Sequence, residues 1–257
     1  MSDRTLVKFG SALVSEGPRV RFPWLAQKVW ELAALAKEGQ RFIVVSSGAV
    51  AAGMELRGVQ TRPTDTTELQ MLSGLGQVRL MTYYKDLFQE WGIRVAQILL
   101  THHNFASERE RSTITGIINT YLDRGIIPVI NENDMVAKEE LEYEKSFSDN
   151  DILAALVGVN VGVDRAVLLT DVEGLYAADP KKDESVSLIN EVSQVTPEIE
   201  AMAQGSAGDL GLGGMSSKVT AARMLSEAGI ETVIASGRYP LVDVLSRSCP
   251  STVFRAV

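Results

Sequence analysis

Short runs of β-branched and apolar residues alternate with longer stretches of helical periodicity along nearly the whole chain. This alternation limits the fold more than any other feature. Two strands joined by a helix-length crossover lie parallel, and a parallel sheet needs helices over both faces. Strand-like runs fall at Thr5–Phe9, Arg41–Val45, Arg94–Leu100, Ile126–Ile130, Ala166–Thr170, Glu231–Ala235 and Thr252–Phe254. Helical patterns lie between them at Phe22–Lys37, Thr66–Glu90, Glu108–Arg124, Asp151–Val161, Val219–Leu225 and Leu241–Leu245, with a further one opening on Thr196-Pro197-Glu198 and closing at Gly205. Gly39 and Gly125 stop two of these helices, and Gly74 and Gly76 interrupt a third. The prediction is an α/β fold, a three-layer α/β/α sandwich with a mostly parallel central sheet. Ligands of such sheets collect at the carboxyl ends of the strands, where Lys8 and Ser47 stand.

With 257 residues and 45% hydrophobic side chains, the chain can bury a substantial core. No apolar run nears the ~18 residues of a membrane span. Met1-Ser2-Asp3-Arg4 leads directly into a strand-like segment, so a cytoplasmic protein with no membrane partner is expected. Cys249 is the only cysteine, which excludes an internal disulfide. His102 and His103 are the only histidines, and neighbours on a regular element point different ways, so the pair is expected on the surface or in a loop rather than as metal ligands. A metal held by carboxylates and substrate oxygens would suit Mg²⁺. The net charge of −8 argues against a nucleic-acid surface. An anionic ligand must therefore be attracted by local lysines.

One such place is Gly211-Leu212-Gly213-Gly214-Met215-Ser216-Ser217-Lys218, just before the helical run from Val219. Glycines let backbone N–H groups close on an anion, and the helix start adds its positive dipole end. The spacing fits neither the dinucleotide fingerprint, which wants glycine at Ser216, nor the P-loop, which wants glycine where Ser217 precedes Lys218. Other element ends supply Lys8-Phe9-Gly10-Ser11, Ser46-Ser47-Gly48-Ala49, and a cluster of Asn131, Asn133, Asp134, Asp149, Asn150 and Asp151. The charged stretch from Lys138 to Lys145, flanked by that cluster, reads as a solvated hairpin or a substrate lid. No serine or cysteine nucleophile with a paired base is visible. Two lysines, glycine turns and Mg²⁺ are sufficient for phosphoryl transfer, which asks chiefly for positioning and charge neutralisation.

The chain resembles the amino acid kinase family, and within it the branch of glutamate kinases. The resemblance is carried by Val7-Lys8-Phe9-Gly10-Ser11, by Ser46-Ser47-Gly48-Ala49-Val50-Ala51-Ala52-Gly53, and by Ile130-Asn131-Glu132-Asn133-Asp134 with Asp149-Asn150-Asp151. Thr170-Asp171 with Gly174-Leu175-Tyr176, and Gly213-Gly214-Met215-Ser216-Ser217-Lys218, extend it over nearly the whole chain. The resemblance implies the amino acid kinase fold and ATP-dependent phosphorylation of the γ-carboxylate of L-glutamate to L-glutamyl 5-phosphate, the first step of proline biosynthesis. ATP would be the co-substrate, and Mg²⁺ would be carried mainly by its phosphates rather than by a protein metal site.

On the same resemblance Lys8 and Lys218 are catalytic lysines and Asp151 is the acid that orients them. Ser47, Asp134 and Asn150 bind glutamate: Asp134 suits the α-ammonium, while the Ser47 hydroxyl and the Asn150 amide suit carboxylates. Lys8, Thr170, Asp171, Gly213, Gly214, Met215, Ser216, Ser217 and Lys218 bind nucleotide, and Gly10 and Gly48 bring backbone N–H groups to the phosphates. Residues about 1–164 are expected to form an amino-acid lobe and about 165–257 a nucleotide lobe of one kinase domain. Proline as feedback inhibitor and a homo-oligomer, dimer or tetramer, are further expectations of the resemblance. A C-terminal PUA domain, common in the branch, is not expected here. The shared motifs leave open another acceptor, such as aspartate, N-acetylglutamate or carbamate, or a non-catalytic sensor that keeps the fold. Ser148, Leu212 and Ser217 depart from the residues usual in the branch.

Overall fold

In the computed structural model, the described residues are 3–136, 150–178, 186–205 and 214–257. Among them the chain begins β1 (Arg4–Phe9), α1 (Ser11–Val14), a small hairpin of β2 (Ser15–Glu16) and β3 (Arg19–Val20), α2 (Phe22–Lys37), β4 (Arg41–Val45) and α3 (Ala49–Arg57). It continues through α4 (Thr66–Gln89), β5 (Arg94–Leu100), a 3₁₀ turn at His102–Phe105, α5 (Glu108–Asp123) and β6 (Ile126–Glu132). Then follow α6 (Asn150–Val161), β7 (Arg165–Thr170), β8 (Glu191–Val192), α7 (Pro197–Gly205), α8 (Met215–Glu227), β9 (Glu231–Ser236), α9 (Leu241–Ser246) and β10 (Ser251–Phe254).

Among the described residues eight strands form one sheet, in the order β5-β6-β4-β1-β7-β9-β10-β8. From β5 to β9 every pairing is parallel, and β10 turns antiparallel against β9. β1 lies in the middle, so both its faces are covered and Thr5 to Phe9 are all buried. Alternation along the strands divides the core. Leu6, Ile43, Ile130 and Leu168 pack with Ile118, Leu153, Val219 and Leu225 of α5, α6 and α8 on one face. Val7, Phe9, Phe42 and Val44 pack with Leu25, Leu32, Leu80 and Tyr84 of α2 and α4 on the other. The three layers expected from the alternating pattern are present.

Topology places the ligand crevice. After β1 the chain crosses to β4 on one side, whereas after β7 it goes to β8 and then β9, both on the other. Successive connections that diverge in this way leave a gap above the carboxyl ends of β1 and β7.

One local expectation is corrected. The glycines of α4 do not interrupt it: the helix runs unbroken from Thr66 to Gln89, started by Asp65, whose side chain accepts from the Glu68 N–H at 2.9 Å. A methyl group on Gly76 would lie 1.7 Å from the Ala49 carbonyl oxygen, and one on Gly53 1.9 Å from that of Leu72. These glycines let the backbones of α3 and α4 touch. The histidines form part of the 3₁₀ turn beyond β5, with His103 exposed.

Candidate active site

Lys8 stands two residues after Leu6 on the central strand and so projects to the same face, toward the starts of α6 and α8. A lysine there is 2% exposed, a position that requires a partner. Asp151, in the first turn of α6 and fully buried, provides it. Its Oδ1 lies 2.6 Å from Lys8 Nζ and its Oδ2 3.0 Å from Lys218 Nζ, which comes from the fourth position of α8. One carboxylate therefore bridges two ammonium groups, and the three side chains come from three separate elements. Burial pushes the Asp151 carboxyl up, but the charges and hydrogen bonds of Lys8 and Lys218 outweigh it and hold the group below its ordinary value. Two buried ammonium groups set beside one carboxylate suit an anion entering next to the lysines.

The Ser217 hydroxyl lies 3.1 Å from Asp151 Oδ2 and 2.9 Å from the Gly214 carbonyl oxygen. Expected as a nucleotide contact, it is turned toward the triad instead. Gly214, Met215 and Ser216 form the start of α8, and Thr170 lies at the end of β7 with its hydroxyl donating to Asp171 Oδ1 at 3.1 Å. Gly48, with φ of 97°, begins α3 in the left-handed region open to glycine. The Gly10 N–H donates to the Leu169 carbonyl at 3.1 Å and is not available to a phosphate, which corrects the role expected for it. Gly213, along with Gly211, Leu212, Ser148, Asp149 and the stretch from Lys138 to Lys145, lies outside the described residues.

Beside the triad, Asn150 Nδ2 donates to Ser47 Oγ at 3.0 Å and to Asn131 Oδ1 at 3.1 Å. Asn131 Oδ1 also accepts the Glu132 N–H at 2.9 Å, so it is an oxygen and the atom facing it on Asn150 must be the donor. Both N–H bonds of that amide are thus engaged. The Asn150 Oδ1 is buried and has no hydrogen-bond partner among the described residues. The group Asn150 offers a ligand is an acceptor, suited to an N–H or ammonium and not to the carboxylate expected from the sequence.

Asp134 is held elsewhere. Its Oδ2 accepts from the Ser73 hydroxyl of α4. Burial raises its carboxyl above the ordinary value, against the lowering effects of the Ser73 hydrogen bond and the Arg62 charge.

The sequence pattern that describes the amino acid kinase family matches residues 3–236. The chain belongs to that family. Among amino acid kinase relatives, it is 42% identical over 247 residues to the glutamate 5-kinase of Burkholderia multivorans and 40% identical over 247 residues to that of Paraburkholderia phymatum. Each match takes in 96% of this chain and 65% of the relative, so the chain spans less than two thirds of their length. In fold it is similar to the carbamate kinase from Giardia lamblia bound to AMP-PNP, with a TM-score of 0.67 at 14% identity over 99% of this chain and 98% of that one. It is also similar to the UMP kinase from Ureaplasma parvum, with a TM-score of 0.65 at 11% identity over 99% of both chains.

Of the residues expected from the amino acid kinase resemblance, Lys8, Asp151, Lys218 and Ser217 form one connected group and Ser47, Asn131 and Asn150 another, joined through adjacent Asn150 and Asp151. Sequence reading missed Gln70, Ser73 and Gln77 of α4. Their spacing of three and four was the available signal: a polar stripe on a buried helix face has to bond to something.

Proposed function

We propose that this chain is a glutamate 5-kinase, transferring the γ-phosphoryl group of ATP to the γ-carboxylate of L-glutamate in the cytoplasm and supplying proline biosynthesis. The observation that carries the reading is the buried Asp151 carboxylate between Lys8 and Lys218, 2.6 and 3.0 Å away. A carboxylate oxygen of glutamate attacks the γ-phosphorus, the bond to the bridging oxygen breaks, and ADP leaves with the electron pair. The attacking carboxyl has an ordinary pKa near ~4.3 and is already ionised, so no general base is required. What is required is relief of repulsion between two anions, which two ammonium groups supply.

In this reading Asp134 and the free Asn150 Oδ1 receive the α-ammonium, and Ser47 faces a carboxylate. Thr170, Asp171 and the turn from Gly213 to Lys218 hold the nucleotide. That division corresponds to an amino-acid lobe over about 1–164 and a nucleotide lobe over about 165–257. Among the described residues there is no group of three or more His, Cys, Asp or Glu side chains that could hold a metal ion. Mg²⁺ would come on the ATP phosphates and neutralise part of their charge. Proline, which shares an amino group and a carboxylate with glutamate, would act as feedback inhibitor, and the protein would assemble as a dimer or tetramer. Among the described residues no helix is long and apolar enough to cross a membrane.

The test is ADP release with ATP and Mg²⁺ in the presence of L-glutamate, L-aspartate, N-acetyl-L-glutamate or no acceptor, with hydroxylamine to trap an acyl phosphate. Release and hydroxamate formation with glutamate alone are expected. Turnover of a different acceptor would overturn the substrate, and no turnover with any of them would overturn the kinase reading.

A further inference from the structure

The segment that carries Asp134 is built by one stripe of α4. Gln77 Nε2 donates to the Glu132 carbonyl at 3.3 Å, Ser73 Oγ to Asp134 Oδ2, and Gln70 Nε2 to the Met135 carbonyl at 3.3 Å. Residues 70, 73 and 77 share a helix face, so side chains along one turn after another hold residues 132–135 in order. The fit is close: a methyl group on Gly74 would lie 3.2 Å from Met135 Sδ. The helix itself is fixed against α3 by the Gly53 and Gly76 contacts. Ser73 is 1% exposed and is the member of the stripe that bonds to a side chain of residues 132–135 instead of their backbone.

We propose that Ser73 is a positioning residue for the amino-acid acceptor, pinning Asp134 Oδ2 so that Oδ1 is presented to the acceptor's ammonium group. This rests on the reading of Asp134 as the ammonium's partner. Oδ1 has no hydrogen bond among the described residues. The pinned carboxylate meets the cation without losing rotamer freedom on binding. A serine hydroxyl has one hydrogen, and giving it to Oδ2 leaves only lone pairs toward the site, a surface that accepts from an ammonium and repels a carboxylate. Among the described residues, Arg62, on the segment between α3 and α4, is the charged side chain whose field acts on Asp134. Ser73 and Arg62 oppose the effect of burial on the carboxyl. Removing the hydroxyl makes Asp134 harder to ionise, and with it the ammonium site.

Initial rates of wild type, Ser73→Ala, Asp134→Asn and the double variant test this over a range of pH. Ser73→Ala is expected to raise KM for L-glutamate about 10-fold, the scale of a hydrogen bond to a charged group, with kcat within about twofold and KM for ATP unchanged. The acid limb of kcat/KM for glutamate should move to higher pH, and that for ATP at saturating glutamate should not. In the Asp134→Asn background the same substitution should add nothing, because the hydroxyl acts through the carboxylate. An unchanged KM and acid limb, or an equal loss in both backgrounds, overturns the assignment. Should the alanine variant be insoluble, Ser73→Cys, which keeps the volume and weakens the donor, is held to the same criteria. Wild-type turnover confined to an acceptor without an ammonium group overturns both readings. Wild-type turnover of glutamate that Ser73→Ala leaves unaltered overturns the Ser73 assignment alone.

Discussion

Asp151→Asn keeps the shape of the buried carboxylate and removes its charge, leaving Lys8 and Lys218 facing each other across an amide. The carboxylate oxygens stand 2.6 and 3.0 Å from the two ammonium nitrogens, and all three side chains are at most 5% exposed. Breaking a buried ion pair by removing one partner costs ~3–5 kcal/mol. An independent bound comes from the lysines themselves: the variant can relieve the repulsion by shedding one proton. Moving a lysine from a pKa of ~10.4 to neutrality at pH 7 costs about 4.6 kcal/mol, at about 1.36 kcal/mol per unit. The two routes agree on about 4 kcal/mol. With a urea dependence of ~3 kcal/mol per molar, the unfolding midpoint should fall by more than about 1 M.

The pH dependence carries the sign. In the wild type the Asp151 carboxyl is held below its ordinary 3.8, so its contribution is complete above that pH and is lost as the pH falls through the folded value. In the variant two buried ammonium groups face each other without the Asp151 charge between them, and the folded protein relieves the repulsion by giving up a proton that the unfolded chain keeps. The unfolded chain then binds more protons, so stability should rise as the pH is raised from 7 toward 10. Urea titrations of both proteins at pH 7 and 9, with kcat measured beside them, check this. A variant with an unshifted midpoint, no recovery at pH 9 and normal kcat would falsify the view that this carboxylate holds the two lysines.

Lys218→Ala should lower kcat by roughly 10²- to 10³-fold, the scale for removing one preorganised charge-stabilising group, and steady-state kinetics with saturating substrates measure it. Asp134→Ala should raise KM for glutamate at least 10-fold while calorimetric ATP affinity stays within about twofold, since it loses a charge-assisted bond to the ammonium. Gly76→Ala places a methyl 1.7 Å from the Ala49 carbonyl, so α4 must move away from α3. A loss of about 3 kcal/mol or more in urea unfolding is expected, with KM for glutamate rising in whatever folded protein remains.

Much of the site was legible because its chemistry is local. Lys8 closes an apolar run, Ser47 follows another, and Asp151 opens a helical pattern, so each falls at a carboxyl-end position once a parallel sheet is inferred. Less legible were features that depend on what packs above a residue. Gly53 and Gly76 look like helix breakers when only propensity is considered, yet contact between α3 and α4 requires them. Asn150 looks like a donor to a carboxylate until Ser47 and Asn131 are seen to take both its N–H bonds.

The sequence by itself determined the α/β alternation, the strand ends and the residue types able to neutralise phosphate, because periodicity and side-chain chemistry are properties of short segments. Only the tertiary structure decided that Lys8, Asp151 and Lys218, from three distant segments, share one buried carboxylate, and that α4 lays Ser73 against Asp134. Those contacts depend on strand order and on how closely two helices approach, and both follow from packing the whole chain at once.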